Sequence, residues 1–284
     1  MRPGSRVKLA LRRVLPGAVV AWAISARDGR RLRALPSVGV EPGRLRRLTA
    51  DNLASFLRDV RIGELWNDDS ARISTVFEAI DVGDAVNPGD RRALYHLVAA
   101  TRPLRLLEIG TNIGGSTLAL TQAAATHVGD EAMITTVDIV DVNDRTRAAS
   151  ASLASPRTPA ENLTLLGLRS RVTFVTARSG DHLRATEQRF DFVLVDGDHS
   201  APAVYQDIVS ALGVLAPGGV IVLHDYFPDK SDICGDGAVI GGPFEAVARL
   251  VRENPDLSVL PLGSLPWPTK HGSHVTTLAV LTTR

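Results

Sequence analysis

The 284-residue sequence predicts an α/β fold, a doubly wound and mostly parallel sheet of seven strands with helices on both faces. Three observations lead there. From Leu104 onward short apolar runs alternate with helical patterns, the rhythm of successive β-α-β units. A glycine-rich turn joins the first of those runs to a helix, and an acid closes the second and the fourth. The composition, 44% hydrophobic and 22% charged with a formal net charge of +1, is that of a globular chain able to bury one large core.

Residues 1–85 read as a mainly helical extension that serves as a lid, an oligomerisation arm or a substrate wall, and residues 86–284 as the sheet-bearing domain. Near the start, Arg12 and Arg13 precede a short apolar run that imitates a secretory signal. That run opens on Pro16-Gly17, and nothing approaches the roughly 20 apolar residues that cross a bilayer, so a cytoplasmic protein without a membrane span is expected. Leu45, Leu48, Leu53, Phe56, Leu57 and Val60 recur at helical spacing and predict one amphipathic stripe. Asn87-Pro88-Gly89-Asp90 is a turn that opens a helix through Tyr95, Leu97 and Val98, stopped by Thr101-Arg102-Pro103.

Strands are expected over 104–109, 133–139, 172–176, 190–195 and 220–223, with helices near 116–125, 203–215 and 244–253. Two later strands, 257–261 and 275–282, flank a Gly/Pro-rich stretch that suits a hairpin. Such a sheet is Rossmann-like, and its ligands bind outside the carboxyl ends of the strands.

Charge and cysteine content narrow the function classes. Cys234 is the single cysteine, which excludes an internal disulfide framework and a multi-cysteine zinc site. Residues 1–60 hold 13 Lys/Arg against 4 Asp/Glu, either a solvated or intersubunit face or a surface for nucleic acid or a membrane. The acidic D-G-D-H cluster repels phosphates, so no nucleic-acid partner is expected.

Three motifs carry chemistry. The first, Leu107-Glu108-Ile109-Gly110-Thr111-Asn112-Ile113-Gly114-Gly115-Ser116, runs from a strand into a helix whose free N–H groups welcome an anionic group. It is not a G-x-G-x-x-G dinucleotide turn, and an acid two residues before the first glycine favours a zwitterionic nucleoside over a pyrophosphate. The second, Asp196-Gly197-Asp198-His199, ends the fourth strand. The third, His224-Asp225-Tyr226, emerges from the neighbouring fifth strand after the tight turn at Pro217-Gly218.

The pattern E-x-G-x-x-x-G-x-S resembles motif I of class I S-adenosylmethionine-dependent methyltransferases, in particular the metal-dependent O-methyltransferases. It looks closest to the branch of sugar O-methyltransferases and cephalosporin-hydroxylase-like proteins. The resemblance covers about residues 85–284. It implies that Glu108, Gly110, Thr111, Gly114 and Ser116 shape the methionine pocket, that Asp138 meets the ribose hydroxyls, that Ser179 contacts adenine, and that Asp196 borders the cosubstrate. A strand-end acid capping a loop is the plain alternative for Asp138. The resemblance further implies Asp196, His224 and Asp225 as ligands of a divalent metal, Mg2+ first and Mn2+ next, with His199, three residues after Asp196, as the general base. Histidine at 224, where related sugar enzymes carry a carboxylate, is a departure, because imidazole suits softer metals than magnesium. Asp84, Asn87 and Tyr226 are the expected acceptor contacts.

The expected activity is methyl transfer to a hydroxyl of a small saccharide or glycoside, in methylated oligosaccharide or glycolipid synthesis. A polyphenol or antibiotic aglycone is the alternative acceptor, and a non-catalytic S-adenosylmethionine-binding partner protein the alternative role. A homodimer or higher homo-oligomer is expected from the long N-terminal arm.

Overall fold

The computed structural model describes residues 17–41, 43–77, 86–146, 156–233, 235, 237, 239–270 and 272–284, with side chains from Ala26 onward. Helix α1 (Gly17–Ala34) is followed by α2 (Ala50–Leu57), α3 (Val60–Ser74) and α4 (Pro88–Thr101). Then come β1 (Arg105–Ile109), α5 (Gly115–His127), β2 (Met133–Asp138), α6 (Pro159–Leu165) and β3 (Val172–Thr176). The chain continues through α7 (Ser179–Ala185), β4 (Phe190–Val195), α8 (Ala201–Val214), β5 (Leu215–Leu223), α9 (Gly241–Glu253), β6 (Leu257–Pro261) and β7 (Ala279–Thr283).

The seven strands lie in the order β3-β2-β1-β4-β5-β7-β6, parallel except for β7, which runs antiparallel to both of its neighbours. The expected hairpin of the last two strands forms, but β7 inserts next to β5 and leaves β6 at the edge. Central strands are covered on both faces, so Leu106, Leu107, Val193, Leu194, Ile221 and Val222 are all fully buried, as a two-sided parallel sheet demands. One core layer joins Leu53, Leu57, Ile73 and Phe77 to α4, α5 and one sheet face; the other gathers α8, α9 and the opposite face.

Two expectations are corrected. The 45–60 stripe is not one helix: Leu45 bridges to Gly219 of β5, the chain stays extended to Thr49, and α2 begins only at Ala50. A capping box between Thr49 and Asn52 starts α2, and Asp59 caps α3 through the Ile62 N–H, which leaves Val60 71% exposed. The final strand starts at Ala279 rather than 275, because the residues before it bond back to the loop, Thr276 N–H to Gly263 O and Leu265 N–H to His274 O.

A buried carboxylate ties the N-terminal helices to the sheet domain. Asp69 on α3 accepts the Tyr95 hydroxyl at 2.6 Å, the Gln122 amide at 2.8 Å and the Thr126 hydroxyl at 2.6 Å, so three donors from α4 and α5 end on one side chain. Removing it leaves the buried Tyr95 hydroxyl and Gln122 amide without that acceptor in the core. Asp69→Ala is expected to lower unfolding stability by about 3 kcal/mol, read as a shift of the chemical denaturation midpoint.

Candidate active site

Parallel pairing continues one residue beyond the strands, and this sets the positions of the polar side chains. Gly110 N–H bonds to Val137 O (2.9 Å), Asp196 N–H to Ile109 O (2.8 Å) and His224 N–H to Val195 O (3.1 Å). The carboxyl ends of β2, β1, β4 and β5 are thereby locked side by side. Gly110 makes the closest approach: its φ is +98°, and a Cβ there would stand 2.1 Å from the Asp196 carbonyl oxygen. No other residue fits at that turn.

Above these ends lies a cleft of 1620 Å³. Gly110, Asp138, Ser179, Asp196, His199, His224, Asp225 and Asn87 all border it. Other expected residues lie elsewhere. Glu108 is fully buried beneath the glycine turn, accepting the Thr117 and Thr136 hydroxyls at 2.5 and 2.6 Å. Burial pushes its carboxyl up to about 7, against the lowering pull of Ser116, Thr117 and Thr136. Thr111 turns its hydroxyl down to Thr136, and Ser116 is buried with it. Gly114 holds the turn at φ +84°. These residues brace the turn from below. Tyr226 is a correction of another kind: its ring packs into the core against Phe244, and its neighbour Phe227 borders the cleft instead. Asp84 lies outside the described residues.

Asp138 does the work of the plain alternative. Its Oδ2 accepts the N–H groups of Thr111 (3.2 Å) and Asn112 (3.0 Å), and its Oδ1 accepts that of Val140 (2.9 Å). Three of a carboxylate's roughly four lone-pair sites are taken by backbone, which leaves one on Oδ1 for a ligand.

At the other end of the cleft two imidazoles and three carboxylates interlock. His199 sets Nε2 3.3 Å from Asp196 Oδ1 and Nδ1 3.3 Å from Asp225 Oδ2. His224 Nδ1 stands 3.0 Å from Asp196 Oδ1 and 3.5 Å from Asp225 Oδ1, while Nε2 faces Asp90 Oδ2 at 3.3 Å. Despite the 3.0 Å approach, His224 Nδ1 is buried without a hydrogen bond of acceptable angle. Burial alone would lower both imidazoles, but the surrounding carboxylates outweigh it, raising His199 and lifting His224 well above its ordinary value. Burial would likewise raise Asp196, yet His224 and His199 hold it at about 2.

The loops are held as firmly as the strands. Asp225 sits at φ +54°, a left-handed position that Asp tolerates, and the following Tyr226 N–H is pinned to Thr277 O at 2.9 Å. A Cβ on Gly242, at the start of α9, would fall 2.0 Å from the His199 carbonyl oxygen, so helix and loop are in backbone contact. Asp198 is exposed and turns its Oδ1 back to the Ser200 N–H, away from the cluster.

Two acids were not singled out by sequence. Asp90, 1% exposed, closes the far side of His224; its only sequence signal was its place in the turn before α4. Asp207, on α8, receives a very short hydrogen bond from the Ser179 hydroxyl, and burial raises its carboxyl to about 6. Nothing in the spacing of a helix-borne acid eleven residues past Asp196 marks it.

Residues 107–226 match a family model described as a methyltransferase domain. The chain's fold is shared with an O-methyltransferase from Bacillus cereus solved with S-adenosylhomocysteine, at 18% identity over 80% of this chain and 92% of that one, with a TM-score of 0.51. It is shared also with the O-methyltransferase TomG of tomaymycin synthesis from Streptomyces achromogenes, solved with S-adenosylmethionine, at 19% identity over 78% of this chain and 89% of that one, TM-score 0.51. No curated protein matches the chain in sequence. The match to the methyltransferase model begins at β1 and ends just after Asp225, so it takes in the glycine turn and both clusters of polar residues. Among the described residues no helix is long and apolar enough to cross a membrane.

The imidazole–carboxylate cluster has a stability signature. Both histidines have folded-state values above 6.5, so their contribution is fully present below 6.5 and is lost as pH rises through the raised values. Metal-free protein is therefore expected to melt at falling temperature from neutral into alkaline pH, and His224→Gln to flatten that slope, which thermal melts across the range test directly.

Proposed function

We propose that the chain is an S-adenosylmethionine-dependent, divalent-metal-assisted O-methyltransferase acting on a hydroxyl of a small saccharide or glycoside. One observation carries this reading. Asp196, His199 and Asp225 place ligand atoms within 4.8 Å of one another, next to the glycine turn and at the cleft's polar end.

The donor set fits a divalent cation: two carboxylates, the half-open His199, and the buried His224 Nδ1 that has no hydrogen bond of its own. Asp196 and Asp225 would hold the ion, with His224 beside them. Carboxylate oxygens suit magnesium, and the neighbouring imidazoles suit manganese as well. When bound, such an ion lowers the pKa of a coordinated hydroxyl.

The chain's residues supply the rest. The turn at Gly110, the free lone pair of Asp138 and the Ser179–Asp207 pair would hold the cosubstrate along the sheet ends. The acceptor oxygen's lone pair forms the new bond to the methyl carbon, the carbon–sulfur pair stays on sulfur, and the hydroxyl proton passes to a His199 ring nitrogen. The His199 side chain is 34% exposed, which leaves it open to an acceptor. Holding both reactants on locked strand ends supplies alignment.

The polar mouth, with Asn87, Asp198, Thr269 and Thr277 on its walls, favours a saccharide. A polyphenol or antibiotic aglycone is the acceptor to set against it, given the pathway named for TomG. The presence of Asp196, His199 and Asp225 together speaks against a role as a non-catalytic partner.

Calorimetric titration of Mg2+ and then Mn2+ into protein saturated with S-adenosylhomocysteine is expected to show binding that Asp196→Ala abolishes. Binding by neither ion would remove metal assistance from the mechanism. With an acceptor in hand, His199→Ala is expected to lower kcat by about 10²–10⁴-fold. Because only neutral imidazole accepts a proton and the ion-free carboxylates raise this one above its ordinary value, kcat/KM should climb with pH on a limb that bound metal shifts to lower pH.

A further inference from the structure

Arg91, next to Asp90 on α4, is 7% exposed, yet among the described residues no carboxylate pairs with its guanidinium. Its Nε is buried without a hydrogen-bond partner, and its near neighbour is the Phe77 ring, 5.2 Å from Cζ. The comparison within the molecule is instructive. Arg249, equally buried, bonds to Glu253 and to the carbonyls of Leu32 and Leu35. A guanidinium has five donors and cannot shed its charge, so a buried one with no anion is a position waiting for one.

The location says which anion. Arg91 stands in a wall that the main cleft shares with a side pocket of 320 Å³; the side pocket reaches Gly115 at the start of α5, and the cleft reaches Gly110 and Asn112 of the glycine turn. At Gly115, the first residue of that helix, a Cβ would lie 3.3 Å from the Phe77 ring and 3.7 Å from Arg91 Cδ, so the arginine rides over the helix's first turn. That helix is 13 residues long, and its N-cap, Gly114, gives it no side-chain cap. The start of that helix and a buried cation with no carboxylate partner among the described residues therefore stand together beside the glycine turn.

S-adenosylmethionine has one anionic group, its α-carboxylate. We propose that Arg91 and the uncapped N-terminus of α5 bind that carboxylate, making Arg91 a cosubstrate-binding residue. The inference rests on the cosubstrate reading given under Proposed function. Gly115 belongs to the same design, since a side chain there would displace Phe77 or the arginine. Burial draws the guanidinium down to about 10, consistent with a site that lacks its counter-charge until the ligand arrives.

Calorimetry with two ligands tests this: S-adenosylhomocysteine, and its decarboxylated analogue, which keeps the nucleoside, the thioether and the amine. Arg91→Met is expected to weaken S-adenosylhomocysteine by about tenfold or more and to leave the analogue within about twofold of wild type. Arg91→Lys should recover part of the loss, because a point charge replaces the planar fork. Ligand-free Arg91→Met should melt at or above the wild-type temperature, since an unpaired buried charge has been removed. Equal weakening of both ligands together with a lower melting temperature would mark a structural arginine and overturn the inference, as would unchanged binding of both. If the wild-type protein binds neither ligand, it is the cosubstrate reading that falls, and the assignment of Arg91 falls with it.

Discussion

Everything at the cleft depends on one backbone contact, the approach of Gly110 to the Asp196 carbonyl. A Cβ at 110 would overlap that oxygen at 2.1 Å, so the first and fourth strand ends can meet only through a residue without a side chain. Because the approach is close, the ladder runs on past the strands and fixes Asp196 relative to the glycine turn by main-chain hydrogen bonds. His224 inherits its place in the same way through Val195. The polar cluster is therefore built on the sheet and only trimmed by loops, and sites on such rigid elements hold their geometry better than sites on free loops.

The same constraint explains why several motif residues lie under the cleft. Once Gly110 closes the turn, Glu108 must point down into the sheet–helix interface, where the hydroxyls of Thr117 and Thr136 meet it. Thr111 follows it downward. Asp138 is held by the turn's own amides, which makes it the cap of the turn with one lone pair left over. A motif read as a row of ligand contacts is in this chain a floor of packed polar groups under a smaller contact surface.

Much of this was legible in the sequence, for physical reasons that differ by element. Strands β1 and β4 announced themselves because both their faces are buried, which favours near-continuous apolar runs. Asp196, His199, His224 and Asp225 were legible because they sit at the ends of such runs. Short amphipathic elements were not: α6 and α7, seven residues each, offer too few turns for a period to show. The break between α2 and α3 was hidden because Leu53, Phe56, Leu57 and Val60 keep helical spacing across a gap at which only the Asp59 side chain caps the next helix. Asp90, Arg91 and Asp207 come from helices whose helical periodicity is plain, and what distinguishes them is what lies opposite, which no local pattern records.

The polar cluster also links charge to chemistry. Around His224 stand Asp90, Asp196 and Asp225, with His199 bridging the last two. Three carboxylates so close together need positive charge, and in the absence of an ion the two imidazoles supply it as protons, which is why both are raised. A divalent cation entering between Asp196 and Asp225 would satisfy the same carboxylates and so compete with those protons. The loss of a proton from His199 and the arrival of positive charge next to it then favour one another. Neutral imidazole is the form that can accept a hydroxyl proton, so an electrostatic arrangement that stabilises the ion-free protein with protons is one that would release the His199 proton if the carboxylates took a cation instead.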